Sequence, residues 1–313
     1  MKPLKDCRLV FMGTPDFAVT ILDRLVEEGC NVVAVITAPD KPAGRGMQLT
    51  PSAVKKYAVE KGLHILQPEK LKDAEFLKTL KELGADLQVV VAFRMLPEAV
   101  WNMPPMGTIN LHGSLLPKYR GAAPINWAII NGESMTGITT FKLQHAIDTG
   151  DILMQETIEI RPNETAGELH DEMKVLGAGL VYKTLHAYCE GKIKPFPQSD
   201  ASDQASLPAA PKIHTATCSI NWNQGVAQVY NLIRGLSPYP GAFTSLEGKS
   251  LKIFAATLEE KGHGKEPGVW ETDGKSFLRF AAADGWLYVK SMQLEGKKRM
   301  AVEDFLRGHR FSN

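Results

Sequence analysis

An amide and an imidazole stand two residues apart in Asn110-Leu111-His112, directly ahead of a loop that reads Gly113-Ser114-Leu115-Leu116-Pro117-Lys118-Tyr119-Arg120-Gly121-Ala122-Ala123-Pro124. The residues Thr108 to Leu111 read as a strand, and in a strand positions i and i+2 project to the same side. Ligands of open parallel sheets sit at the C-terminal ends of the strands. An amide N–H and an imidazole placed there can both reach one developing oxyanion. A histidine alone at such a point is as readily structural, and it is the neighbouring amide and loop that turn the reading toward catalysis. A second cluster, His145-Ala146-Ile147-Asp148-Thr149-Gly150-Asp151, follows a strand around Ile138 to Leu143. From there the Asp148 carboxylate can reach His112, orient it and raise its pKa. Taken alone, Asp-Thr-Gly is ordinary turn chemistry, and the turn is the better account of it. A third feature is the run Pro39 to Pro51, rich in Pro and Gly. Between Thr37 and Lys56 it holds four basic residues, Lys41, Arg45, Lys55 and Lys56, against one acid, Asp40. A basic loop suits a phosphate backbone, although without further context an exposed connection is the better account of it.

Other chemistries are absent from the pattern. There is no P-loop, no GxSxG elbow and no HExxH. Gly13-Thr14-Pro15-Asp16-Phe17-Ala18 carries one glycine where a dinucleotide turn needs three, and its Pro15 and Phe17 are bulky where a pyrophosphate must approach. Cys7, Cys30, Cys189 and Cys218 lie far apart in sequence, so neither a zinc site nor a disulfide framework is expected, and a reducing cytoplasm is. No metal is expected.

The elements that must position these groups follow from periodicity. Arg8 to Gly13 reads as a buried strand, and Pro15 opens a helix with Phe17, Ala18, Ile21, Leu22 and Leu25 at helical spacing. Val32 to Ile36 is a second strand, Leu87 to Ala92 a third, and helices are expected over Pro51 to Lys61 and Asp73 to Leu83. Strands and helices in this alternation imply an α/β fold with a mostly parallel, doubly wound sheet. A long helix is expected from about Thr165 to Cys189, with Thr165 and Glu168 at capping-box spacing. The stretch 191–212, rich in proline and polar residues, reads as a linker between a domain over 1–190 and another over 213–313. In the latter, one helix near Asn223 to Arg234 precedes short alternating runs separated by Glu247-Gly248, Asp273-Gly274 and Asp284-Gly285, the pattern of a small OB-like β-barrel.

The chain has 313 residues, 44% hydrophobic and 23% charged, enough apolar material for a sizeable core. No run of about 18 apolar residues occurs, so no membrane association is expected, nor does the N-terminus resemble a signal peptide. The net charge of +1 hides an asymmetry. Residues 211–313 hold 14 Lys and Arg against 10 Asp and Glu, a mildly basic third that would suit a polyanion but on charge alone is better read as a solvated surface.

Together, Asn110-x-His112, Ser114-Leu115-Leu116-Pro117 and Asp148-Thr149-Gly150 resemble the folate-dependent formyltransferases. The tRNA-acting branch of that family gives the fuller match, through Gly13 to Ala18, Pro39 to Gly46 with Pro51-Ser52, Gly121 to Ile125, Ile220-Asn221-Trp222 and Pro238-Tyr239-Pro240. The resemblance covers about residues 5 to 310. It implies a Rossmann-like formyltransferase domain followed by an OB-like barrel. The implied reaction is formyl transfer from 10-formyltetrahydrofolate to the α-amino group of methionine on initiator tRNA, with no obligate protein partner. It also implies catalytic roles for Asn110, His112 and Asp148, folate contacts from Ser114, Leu115, Leu116 and Pro117, and tRNA contacts from the loop carrying Lys41 and Arg45. A small amine such as an amino-sugar nucleotide is the alternative acceptor. One stretch departs from the family pattern: Phe93-Arg94-Met95-Leu96-Pro97 is a residue short and has Arg where glycine is usual, which bears on the wall of the folate pocket.

Overall fold

The computed structural model describes residues 2–43, 48–198 and 207–311. Two compact units emerge. The first comprises Met1–Arg120, Gly137–Ile158 and His170–Pro208; the second comprises Gly121–Thr136, Glu159–Leu169 and Ala209–Asn313.

The sheet of the first unit runs through β1 (Leu9–Gly13), β2 (Val32–Ile36), β5 (Ile65–Leu66), β6 (Leu87–Val91), β7 (Thr108–His112), β8 (Met135–Lys142) and β9 (Ile152–Glu159), in the spatial order β5-β2-β1-β6-β7-β8-β9. The pairs β5/β2, β2/β1, β1/β6 and β6/β7 are parallel and β7/β8 is antiparallel. Strands β1 and β6 are buried along their whole length, as parallel strands covered on both faces must be. Helix α1 (Asp16–Glu27) buries Phe17, Ala18, Ile21, Leu22 and Leu25, the stripe that the sequence shows. Gly13 makes its close approach possible, because a Cβ there would lie 2.5 Å from the Ala18 Cβ. Val10, Met12, Ala34, Ile36 and Val90 of the sheet share a core with Phe76 and Leu80 of α3 (Ala74–Glu82).

The basic segment before α2 (Ala53–Glu60) is more ordered than an open loop. Lys41–Ala43 (β3) and Gln48–Thr50 (β4) form an antiparallel ladder, with Lys41 opposite Thr50. Its base is tied down: Lys55 Nζ lies 2.6 Å from Asp40 Oδ2, Gln67 donates to Asp40 and to the Ala38 carbonyl, and Thr37 bonds Ser52. Ser52 in turn caps α2 by accepting from the Lys55 N–H. Arg45 lies outside the described residues.

Helix α6 (Ala166–Cys189) starts with the expected reciprocal box. Glu168 accepts from the Thr165 N–H, and the Glu168 N–H donates to Thr165 Oγ1. In the second unit, strands β10 (Ala242–Leu246), β11 (Lys249–Glu259), β12 (Trp270–Thr272), β13 (Leu278–Ala281) and β14 (Trp286–Leu294) form an antiparallel half-barrel in the order β10-β11-β14-β13-β12, with β15 (Met300–Ala301) on β14. Register shifts in β11 near Ala255 bend the long strand, as curvature requires. Helix α7 (Val226–Gly235) packs Val226, Val229 and Ile233 into this core, where Trp222 stacks on Phe280. Two short helices, α5 (Pro124–Ile130) and α8 (Val302–Gly308), fall where the sequence reading placed none, and a further short turn of helix, α4 (Glu98–Trp101), lies in the first unit. Among the described residues no helix is long and apolar enough to cross a membrane.

Candidate active site

Asn110 and His112 occupy the C-terminal half of β7, and the alternation of the strand sends both to one face. Asn110 pairs across the backbone with Val90 on one side and Phe141 on the other. Its side chain is half-buried and makes no hydrogen bond to a described residue, so its amide is open to a ligand. His112 is buried, with its ring edge-on to Phe141 at 6.4 Å between centroids. Its Nε2 lies 2.8 Å from the Tyr119 carbonyl oxygen. A carbonyl can only accept, so Nε2 carries the proton and donates it. That leaves Nδ1 facing the Asp148 carboxylate, whose Oδ2 lies 3.8 Å away. Burial pushes the imidazole below its ordinary range, against the Asp148 charge and the Tyr119 carbonyl, which both favour the cation. The tautomer is thus set by a main-chain carbonyl, a partner with no sequence signature.

Asp148 sits in the turn after β8 with φ of 54°, the left-handed region. The turn is fixed on several sides. Thr149 Oγ1 donates to the Ala146 carbonyl, and the Lys142 N–H donates to the Asp151 carbonyl. Gly150 must be glycine, because a Cβ there would lie 1.6 Å from the Lys142 carbonyl oxygen. Gln198, also buried, donates through Nε2 to the carbonyls of Asp148 (2.9 Å) and Gly150 (2.8 Å). Its Oε1 accepts from Nε of Arg120 at 3.0 Å and from the Nη2 of the same guanidinium.

Residues 114–117 continue straight from β7 and double back. Ser114 is fully buried and its hydroxyl donates to the Lys118 carbonyl, inside the loop. Thr139 of β8 donates to the Ser114 carbonyl and accepts from the Leu116 N–H, and Gln155 of β9 donates both to Thr139 Oγ1 and to the Leu116 carbonyl. The Leu116 side chain packs inward with Phe141 and Ile152. Leu115 and Pro117 are only half-buried, and Leu115 lies over Gly137, where a Cβ would meet its Cδ2 at 2.5 Å. The departing segment after β6 is anchored elsewhere: Arg94 donates to the carbonyls of Pro68 and Glu69, leaving Met95 exposed. A cavity of about 410 Å³ in the second unit and one of about 440 Å³ beside Arg94 are open, but neither is lined by Asn110, His112 or Asp148.

The structure therefore brings His112 and Asp148 together, with Asn110 on the same strand and residues 114–117 next along the chain. Lys41 is exposed on β3, in the separate two-stranded sheet. Sequence reasoning missed Tyr119, Arg120, Thr139, Gln155 and Gln198. For Gln198 the sequence offered no more than a polar residue directly after Pro197 in a proline-rich stretch.

A model of the formyl transferase family matches residues 7–185, and a model of the formyl transferase C-terminal domain matches residues 212–310. The chain belongs to the formyl transferase family. Among relatives in that family, the methionyl-tRNA formyltransferase of Bacteroides fragilis is 55% identical over 309 residues, covering 97% of this chain and 95% of the relative. That of Flavobacterium johnsoniae is 49% identical over 314 residues, covering 99% and 98%. Among solved structures, WlaRD, a sugar 3N-formyl transferase determined in the presence of dTDP and 5-N-formyl-THF, superposes with a TM-score of 0.67 at 19% identity over 93% of this chain and 99% of that one. HypX from Aquifex aeolicus in complex with tetrahydrofolic acid gives 0.61 at 20% identity over 96% of this chain, which spans about half of that longer protein (47%). These structural likenesses establish the formyl transferase fold.

Proposed function

We propose that this chain transfers the formyl group of 10-formyltetrahydrofolate to the α-amino group of methionine carried by initiator tRNA. The reading rests on the His112 geometry within a chain that is similar end to end to methionyl-tRNA formyltransferases. Transfer of a formyl group between two nitrogens is acyl transfer. The attacking amine must be uncharged, the carbonyl oxygen gains charge in the tetrahedral state, and the leaving nitrogen needs a proton. Asn110, open on its strand, supplies an N–H to that oxygen, an interaction worth roughly 3–4 kcal/mol where such donors have been removed. His112 exchanges its proton at Nδ1, because Nε2 stays committed to Tyr119. Burial keeps Nδ1 unprotonated near neutrality, ready to accept the proton of the attacking amine. Asp148 then stabilises the imidazolium until the proton passes to the leaving nitrogen. No residue here has to form a covalent bond to the formyl group.

We assign the folate wall to residues 114–117, with Leu115 and Pro117 giving apolar contact and Ser114 and Leu116 holding the loop's shape from within. Lys41 and Arg45 contact the tRNA backbone. No resident metal is needed for this chemistry, and the reaction belongs in the cytoplasm beside the tRNA pool. The test is incubation of the purified protein with methionylated initiator tRNA and 10-formyltetrahydrofolate, with an amino-sugar nucleotide as rival acceptor. Formylmethionyl-tRNA is the expected product. Formylation of the sugar nucleotide alone would overturn the reading.

A further inference from the structure

Two groups that must act together come from different elements, His112 from β7 and Asp148 from the turn after β8. At 3.8 Å they are not joined by a direct hydrogen bond, so their separation depends on what else holds each residue in place. His112 is held by the carbonyl of Tyr119. The next residue, Arg120, points its guanidinium at Gln198 Oε1. Gln198 Nε2 reaches the carbonyls of Asp148 and Gly150, on either side of Thr149 in the turn that carries the carboxylate. Arg120 fixes which way the Gln198 amide faces. Its N–H groups can bond only to oxygen, so the NH2 end is turned toward the two carbonyls. The dipeptide Tyr119-Arg120 thus bears on both partners: Tyr119 holds His112 directly, and Arg120 acts on Asp148 through Gln198 and through its own charge. The left-handed backbone of Asp148 is a conformation that a non-glycine residue holds only when its surroundings impose it.

We propose that Gln198, oriented by Arg120, is a positioning residue that sets the Asp148 carboxylate against Nδ1 of His112. The proposal rests on the reading of His112 and Asp148 as the pair that moves the proton. It gives a role to a residue in the stretch that leaves α6, which the sequence alone presents as a linker. Among the described residues, the pull on His112 comes from one charge, Asp148, and from the Tyr119 carbonyl; β8 faces it with the uncharged Phe141 ring, and Arg120 acts on Asp148. Loss of the clamp lets the turn relax and weakens the pull of the Asp148 charge. That pull favours the imidazolium, so the imidazole falls further below its ordinary range and its titration moves to lower pH.

The experiment uses the full-length protein with Gln198→Met, which keeps the volume and removes both hydrogen-bonding ends, and Gln198→Asn, which stays polar but is too short to span Arg120 and both carbonyls. In Gln198→Met, kcat should fall by about 100-fold, the scale expected for a misplacement of about 1 Å, with KM for both substrates little changed. Gln198→Asn should lose less in the same direction. The His112 titration, followed by NMR without substrate, should shift to lower pH in both. On an Asp148→Asn background, Gln198→Met should add little, because the group it positions is already gone. An unshifted His112 titration in a folded variant would overturn the proposal, as would a loss confined to KM or effects that add in full with Asp148→Asn. The titration needs no acceptor, so it decides the clamp even if the wild-type protein formylates something other than methionyl-tRNA.

Discussion

The loop from His112 to Arg120 and the hairpin from Lys41 to Thr50 face opposite demands. The loop is bound at nearly every residue: Ser114, Leu116, Lys118 and Tyr119 all exchange hydrogen bonds with neighbours, and its side chains alternate between core and surface. Among the described residues, the β3–β4 pair is tied at its base through Asp40, Lys55 and Ser52, while Lys41, Gln48, Leu49 and Thr50 stand exposed. Proton transfer and oxyanion stabilisation depend on distances held to fractions of an ångström, and rigidity supplies them. Attraction to a phosphate backbone depends on charge within reach and tolerates motion. The two regions therefore should fail in different ways when altered.

The largest effect is expected on the rigid side. His112→Ala should lower kcat by roughly 1,000-fold while binding of tRNA, measured by filter retention, is kept. Turnover near that of the wild type would remove the basis of the contrast. Asn110→Ala should lower kcat by about 100-fold with both KM values close to normal, since its amide acts on charge that exists only in the transition state. On the exposed side, Lys41→Ala should weaken tRNA binding by about 10-fold or less and reduce the salt slope by about one ion, with the affinity for folate unchanged. Equal loss for both ligands would show the hairpin to be a structural prop. Smallest of all, Ser52→Ala should cost about 1 kcal/mol of stability in a denaturant titration, by removing the α2 cap at the base of the hairpin.

The sheet and its helices were legible because strong signals coincide there. Leu9 to Gly13 is apolar throughout and Leu87 to Val91 is so but for Gln88, the α1 stripe has the helical period, and Ser52, Asp73 and Thr165 cap the helices they precede. Short elements were not. The seven residues of α5 had only Pro124 at the first turn to announce them, and α8 begins with two acids that read equally well as a solvated tail. The β3–β4 ladder escaped notice because Pro42 argues against a strand, and it is tolerated there because the pair has two open edges. Within the candidate site, side chains of distinctive type were visible in advance. Their supports were not, since the Tyr119 carbonyl exists in every residue and Gln198 meets Asp148 across 50 positions of sequence.

Ser114 turns its hydroxyl into its own loop, and Leu116 beside it packs inward as well. A medicinal chemist who designs an inhibitor against the proposed folate wall therefore gains nothing from a group meant to engage that serine. The surface on offer is greasy and contoured by Leu115 and Pro117, so discrimination between homologues will come from shape.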